Sequence, residues 1–171
     1  GVDEHSAARV DPFGRFIRTF ERVYDVIFGD LDAAIAAGRR VHAVHRRVRG
    51  VISESVGDFP AGSPYEANDA DALFWVHATL IDTAVMVYEL VVRRLSAAEK
   101  ERYYQESKRF AQLFGVAEAF MPPDYPSFER YNARMWASDT LTVSRPAREM
   151  AAFLLQPPHP RAASFWRWYV R

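Results

Sequence analysis

Ala72-Leu73-Phe74-Trp75-Val76-His77-Ala78-Thr79-Leu80-Ile81-Asp82-Thr83 is the stretch whose reading decides the fold. Apolar side chains occupy nearly every side of its helical wheel, and the pattern runs on to about Arg94. Asn68 precedes it as the expected cap, and Asp69 and Asp71 stand in the first turn, where carboxylates suit the helix dipole. A helix that is apolar nearly all round has to be enclosed by others. Residues 69–94 are therefore expected to form the buried central helix of an all-α, single-domain multi-helix bundle. His77 lies in the middle of it, with Leu73, Leu80, Ile81 and Ala84 around it.

Towards the N-terminus, Arg39-Arg40-Val41-His42-Ala43-Val44-His45-Arg46-Arg47-Val48-Arg49-Gly50 reads as the end of a helix capped by Asp30 or Asp32 and closed at Gly50. At about 100° per residue, His45 shares a face with Val41, Val48, Ala34 and Gly38. Arg49 comes one turn later on the same side, and Arg40 and Arg47 point to water. A core histidine bonded to a carbonyl is one reading of His45; a ligand to something is the other. Arg49 is harder to explain by packing, because a guanidinium facing a core needs an anion. The helix before this one opens at Asp11-Pro12 and ends at Gly29, with Phe13, Phe16, Ile17, Phe20, Val23, Tyr24, Ile27 and Phe28 at helical spacing. It carries Arg15, Arg18 and Thr19, which either meet one ligand or are simply solvated. From Gly50 to Glu66 the chain reads as a long Gly-, Ser- and Pro-rich loop, of a kind more often functional than structural.

Towards the C-terminus, Ser96-Ala97-Ala98-Glu99 is a capping box that opens a fourth helix closing at Phe114-Gly115. Pro122, Pro123 and Pro126 form a stiff connector. Ser127 is expected to start a fifth helix, and Thr142 to Pro146 leads into a sixth, which stops at the prolines from Pro157. No alternating strand pattern competes with these helices.

Composition narrows the function. The 171 residues are 49% hydrophobic and 14% aromatic, enough for one ordinary core. Lys+Arg and Asp+Glu both number 22, so no basic field attracts nucleic acid. The chain has no cysteine, which excludes disulfides, thiolate metal sites and cysteine nucleophiles. No transmembrane segment is expected, as no run of about 18 apolar residues appears. The compartment is not legible, the cytoplasm being the default expectation, and neither is the oligomeric state. Gly1 runs directly into folded-looking sequence and Ser164–Arg171 stops without a cap, so the domain is expected to be truncated at both ends.

No His-Glu-x-x-His, Gly-rich phosphate loop, Gly-x-Ser-x-Gly elbow or Glu-x-x-His pair is present. What remains is a set of helix-borne groups: Arg15, Arg18, Thr19, His45, Arg49 and His77. An apolar pocket with one axial imidazole and arginines at its edge is what haem requires, whereas a non-haem metal asks for clustered ligands. Of the two histidines, His45 has Gly38 and Ala34 beside it, leaving room for a flat ring, and Arg49 to meet a propionate. His77 is crowded, so it is expected to bind the cofactor only as a wall residue of the pocket, hydrogen-bonded to another helix.

Asp11-Pro12-Phe13-Gly14-Arg15-Phe16-Ile17-Arg18-Thr19, the His42–Gly50 stretch, Tyr65-Glu66-Ala67-Asn68-Asp69 and Trp75-Val76-His77-Ala78-Thr79-Leu80 occur in that order. Together, over about Gly1 to Pro160, they resemble the MpaB / latex-clearing-protein (rubber oxygenase) family of haem b oxygenases. The resemblance implies a catalytic domain over 1–171, with His45 as the proximal iron ligand and Arg49 as the arginine that follows it. Arg15 and Thr19 match the distal arginine and threonine. At Arg18 rubber oxygenases carry a lysine able to cap the iron; a guanidinium is a very poor ligand, so the distal position is expected to be open or water-filled. The acidic residue proposed as a base in that family would fall upstream of Gly1.

The implied function is a haem b-dependent oxygenase acting with dioxygen on a hydrophobic, isoprenoid-like small molecule. The alternative is a non-catalytic helical binding module that uses the same apolar pocket for a lipid-like ligand.

Overall fold

A computed structural model describes residues 12–154 of the chain. Among the described residues there are six α-helices: α1 (Pro12–Phe28), α2 (Leu31–His45), α3 (Ala70–Val91), α4 (Ala97–Leu113), α5 (Tyr125–Trp136) and α6 (Arg145–Leu154). Two three-residue strands, β1 (Arg49–Val51) and β2 (Pro64–Glu66), lie between α2 and α3. The fold is all-α in class, with this small hairpin as an insertion.

Local chemistry sets the helix ends. Asp30 accepts from the Ala33 amide at 2.8 Å and opens α2, which satisfies one of the four orphan donors of a helix start. Asp69, and not Asn68, caps α3 by accepting from Ala72 N at 2.9 Å. Ser96 and Glu99 complete the capping box of α4, and Gly115 ends that helix at φ +94, a conformation that suits glycine. Asp124 caps α5 through Ser127 N at 2.7 Å, so that helix begins at Tyr125, two residues before Ser127.

The core gathers on one side of α3. Phe74, Ala78, Ile81 and Val85, spaced by three and four residues, pack with Tyr104 and Ala111 of α4, Val116, Met121, and Tyr125 and Phe128 of α5. Tyr104 is fully enclosed and donates its hydroxyl to the Pro122 carbonyl at 2.7 Å, tying the proline connector to α4. Burial of α3 is one-sided, contrary to the expectation from its composition. Val76, Leu80, Val87, Leu90 and Val91 on its other side are exposed, Leu90 to 82%. By length and composition alone this 22-residue helix is long and apolar enough to cross a membrane, although polar residues such as Asp82 and Glu89 interrupt its apolar run. The core helix of a globular domain passes the same test, and α3 supplies the core here.

Helix α2 differs most from the sequence reading. It ends at His45, not at Gly50. The chain turns through Arg46 and Arg47, with Val48 N donating to His45 O at 2.9 Å, and enters β1. Strands β1 and β2 pair antiparallel, with Arg49 opposite Glu66, Gly50 opposite Tyr65 and Val51 opposite Pro64. Gly50 is the cross-strand partner of an aromatic ring: a Cβ there would lie 2.8 Å from the Tyr65 hydroxyl oxygen. The expected structureless loop from Gly50 to Glu66 is thus a hairpin with an irregular tip.

Candidate functional site

His45 is the last residue of α2, so it stands at a helix end and not in mid-helix. Its ring is half-buried. Burial lowers its pKa below the ordinary 6.5 and neighbouring His42 adds to that, while the adjacent Asn68 side chain pulls the other way. The net shift is downward.

One bond closes the turn after α2, and two more lace that end to the segment before α3. Val48 N donates to His45 O at 2.9 Å, Ala67 N donates to Val48 O at 2.9 Å, and Asn68 Nδ2 donates to His42 O at 3.3 Å. Asn68 Oδ1 is buried and has no partner of its own. This role for Asn68 escaped the sequence reading, which spent the residue as a helix cap; the ordered match of Tyr65–Asp69 was the signal that could have found it.

Helices α1 and α2 form a hairpin turned over Gly29 and Asp30, held by an Asp25–Arg40 ion pair at 3.5 Å. The N-terminal half of α1 therefore lies beside the C-terminal half of α2. Arg18 and Thr19 are exposed on that half of α1. Arg15 lies on the same helix, and its side chain is outside the described residues.

Gly38 does not leave room for a ring. A Cβ on it would lie 2.4 Å from the Leu113 carbonyl oxygen, because α4 passes directly over it. Ala34 and Ala37 are buried in the same seam. The small residues of α2 serve helix–helix contact, where close backbone approach needs short side chains.

Arg49 is likewise displaced from its expected place. On β1 it no longer follows His45 around a helix; it lines an open cleft of about 980 Å³ with Val51, Ile52, Phe59, Tyr65 and the carboxylates Glu66, Asp69 and Asp71. His45 is not among the lining residues. Glu66 stands opposite Arg49 on β2, and Asp69 and Asp71 line the same cleft. One guanidinium against three carboxylates also makes this cleft unfavourable for a ligand's own carboxylates.

His77 is buried, 6% exposed. Its ring stacks on Phe110 of α4, with centroids 5.8 Å apart and planes at 13°, and Phe74 lies 6.3 Å away. Neither ring nitrogen has a hydrogen-bond partner among the described residues, so the expected bond to another helix is not formed. Desolvation pushes its pKa down from 6.5 to about 4. The partner it lacks is polar; the neighbours α4 offers are aromatic.

An axial ligand has to be a neutral imidazole with a nitrogen that can be reached, oriented by a second group. His45 has its pKa lowered by burial, is only half-buried, and has the Asn68 amide beside it. Among the described residues no three His, Cys, Asp or Glu side chains converge. Haem would ask the protein for one such imidazole, and His45 is the residue that could supply it.

Fold and site define an all-α domain with a small hairpin insertion, in which a half-buried imidazole stands at a helix end. The chain belongs to the family of ER-bound oxygenase mpaB/B′ and rubber oxygenase catalytic domains, whose match covers residues 1–171. Two similar proteins, an uncharacterized protein from Mycobacterium bovis and one from Mycobacterium tuberculosis, are each 32% identical over 118 residues. The matched segment is 69% of this chain and 42% of each relative, so the chain spans less than half the length of those proteins. No solved structure matches.

Proposed function

We propose that this chain is the cofactor-holding part of a haem b-dependent oxygenase acting with dioxygen on a hydrophobic, isoprenoid-like substrate. The observation that supports it most is His45: a half-buried imidazole at the end of α2, its pKa lowered by burial, with Arg18 and Thr19 on the adjoining helix α1. When bound, haem supplies the binding and activation of dioxygen. His45 holds the iron through one ring nitrogen. Arg18 stays protonated and acts as a fixed charge and hydrogen-bond donor, not as an iron ligand. Thr19, one residue on, offers a hydroxyl that both donates and accepts, and Arg15 extends the same helix by one turn. Ile17 and Phe20, exposed on either side of Arg18 and Thr19, present a hydrocarbon surface to an alkene reaching that turn. Arg49, on the carboxylate-lined cleft, takes no part in holding this group, and His77 lines the core.

The visible spectrum of the full-length protein expressed with haem supply tests this. A Soret band, with pyridine extraction reporting b-type haem, is the expected result. A colourless protein that also fails to take up added hemin overturns it. The cleft of about 980 Å³, with Val51, Ile52, Phe59 and Tyr65 on its walls and no histidine, favours the second reading in that event. The domain would then hold a lipid-like ligand without redox chemistry.

A further inference from the structure

We propose that the tip of the β1–β2 hairpin is a strap, latched on the turn after α5, that gates the cleft of about 980 Å³ to a neutral apolar ligand. The cleft carries this proposal and His45 does not, so it stands or fails apart from the haem reading.

The base of the hairpin is held at several points. Arg49–Glu66, Gly50–Tyr65 and Val51–Pro64 pair across the strands, Ile52 N donates to Ser63 O at 2.8 Å, and Ala67 N donates to Val48 O at 2.9 Å. The tip beyond it is bonded mainly to itself. Val56 and Phe59 exchange backbone bonds at 2.9 and 3.0 Å, and Ser55 Oγ accepts from Ala61 N at 2.9 Å. Residues 57–62 are exposed throughout. Gly62 joins the tip to the base at φ +88, where a Cβ would meet nothing within 4 Å. A segment with local bonds, little buried apolar surface and a glycine joint belongs to the part of a fold that opens first.

The tip seats on the short 3₁₀ turn Asp139–Leu141 that follows α5. Gly57, at φ +52, comes so close that a Cβ there would run into the Asp139 carbonyl oxygen and stand 2.6 Å from Thr142 Oγ1. Beside it Thr140 donates its hydroxyl to Asp58 Oδ2 at 3.0 Å. The turn itself is braced, since Thr142 donates to Asp139 O at 2.7 Å. These contacts close one rim of the cleft, because Phe59 from the tip and Thr140 from the turn both line it. Val51, Ile52 and Tyr65 inside it offer a hydrocarbon wall, and the carboxylates opposite disfavour an anion. One exposed hydrogen bond shifts an opening equilibrium by only about 2–10-fold. The strap is therefore held closed weakly enough to lift while the helices stay in place.

Two variants release the latch from its two sides, and neither residue is in the core. Thr140→Val removes the donor and keeps a branched side chain; Gly57→Ala blocks the close approach to Asp139. The first readout is amide hydrogen exchange by NMR at pH 7, with circular dichroism confirming helix content. The Val56 and Phe59 amides are expected to exchange about 2–10-fold faster in Thr140→Val, and faster still in Gly57→Ala, with Ala67 unchanged. Unaltered tip exchange in both variants overturns the latch, and so does an equal rise at Ala67, which would mean the whole hairpin moves. The second readout is the neutral dye N-phenyl-1-naphthylamine, located by the amide shifts of Val51 and Tyr65 and timed by stopped-flow fluorescence. Its association rate is expected to rise by the same factor as tip exchange. A dye that leaves those two amides unshifted, or that enters parent and variants at one rate, overturns the gate. A gated cleft in a protein that takes up no hemin counts against the haem reading alone; hemin uptake with an ungated cleft counts against the strap alone.

Discussion

Replacing His77 by phenylalanine tests the least expected feature of the core. His77 is 6% exposed, stacked on Phe110, and both its nitrogens lack partners among the described residues. Its pKa falls from 6.5 to about 4 because burial penalises the imidazolium. The sign follows from proton linkage. Between pH 6.5 and 4 the unfolded chain binds the proton and the folded chain does not, so folding is favoured above that window and weakened within it. A shift from 6.5 to about 4, at 1.36 kcal/mol per unit, corresponds to about 3 kcal/mol lost once the pH is well below 4. At pH 4.5 most of it, about 2–3 kcal/mol, is already gone. His77→Phe removes the titrating group, keeps a flat ring against Phe110, and eliminates two orphaned polar atoms. Urea unfolding followed by circular dichroism at pH 7 and pH 4.5 measures both states of both proteins. The parent is expected to lose about 2–3 kcal/mol more than His77→Phe between the two pH values, because all other titrating groups are common to both. Equal losses would refute the account of His77 as a neutral, desolvated core imidazole.

Three further outcomes follow from the same geometry. His45→Ala is expected to abolish hemin retention, and His77→Ala to keep part of it at lower stability; a Soret band that survives in the first and vanishes in the second reverses the axial assignment. Gly38→Ala places a methyl group 2.4 Å from the Leu113 carbonyl oxygen and is expected to destabilise by about 1–3 kcal/mol, read as a lower urea midpoint; an unchanged midpoint would mean α2 and α4 are not in that contact. Asp69→Ala removes the cap of α3 and is expected to cost about 0.5–2 kcal/mol, whereas Asn68→Ala leaves the Ala72 amide capped; equal loss of helix in the two variants would contradict the capping geometry.

The sequence by itself determined which segments are helical and what ends most of them. Phe13 to Phe28 reads as a helix because its apolar residues recur at a spacing internal to the segment, and the Ser96–Glu99 box needs only four consecutive residues. Those signals are local. The tertiary structure alone decided what local patterns cannot contain. Strands β1 and β2 are three residues each and exist only through pairing with each other, so nothing within Arg49–Val51 distinguishes it from continued helix. Gly38 reads as vacant space until the Leu113 carbonyl is seen to occupy it. Composition makes α3 apolar all round, and only the positions of α4 and α5 determine that one side is buried. For the same reason the two histidines, alike on a helical wheel, part company in space. His45 has a half-exposed ring beside an amide, while His77 is sealed against Phe110 with nothing to bond, because burial and hydrogen bonding depend on neighbours distant in the chain.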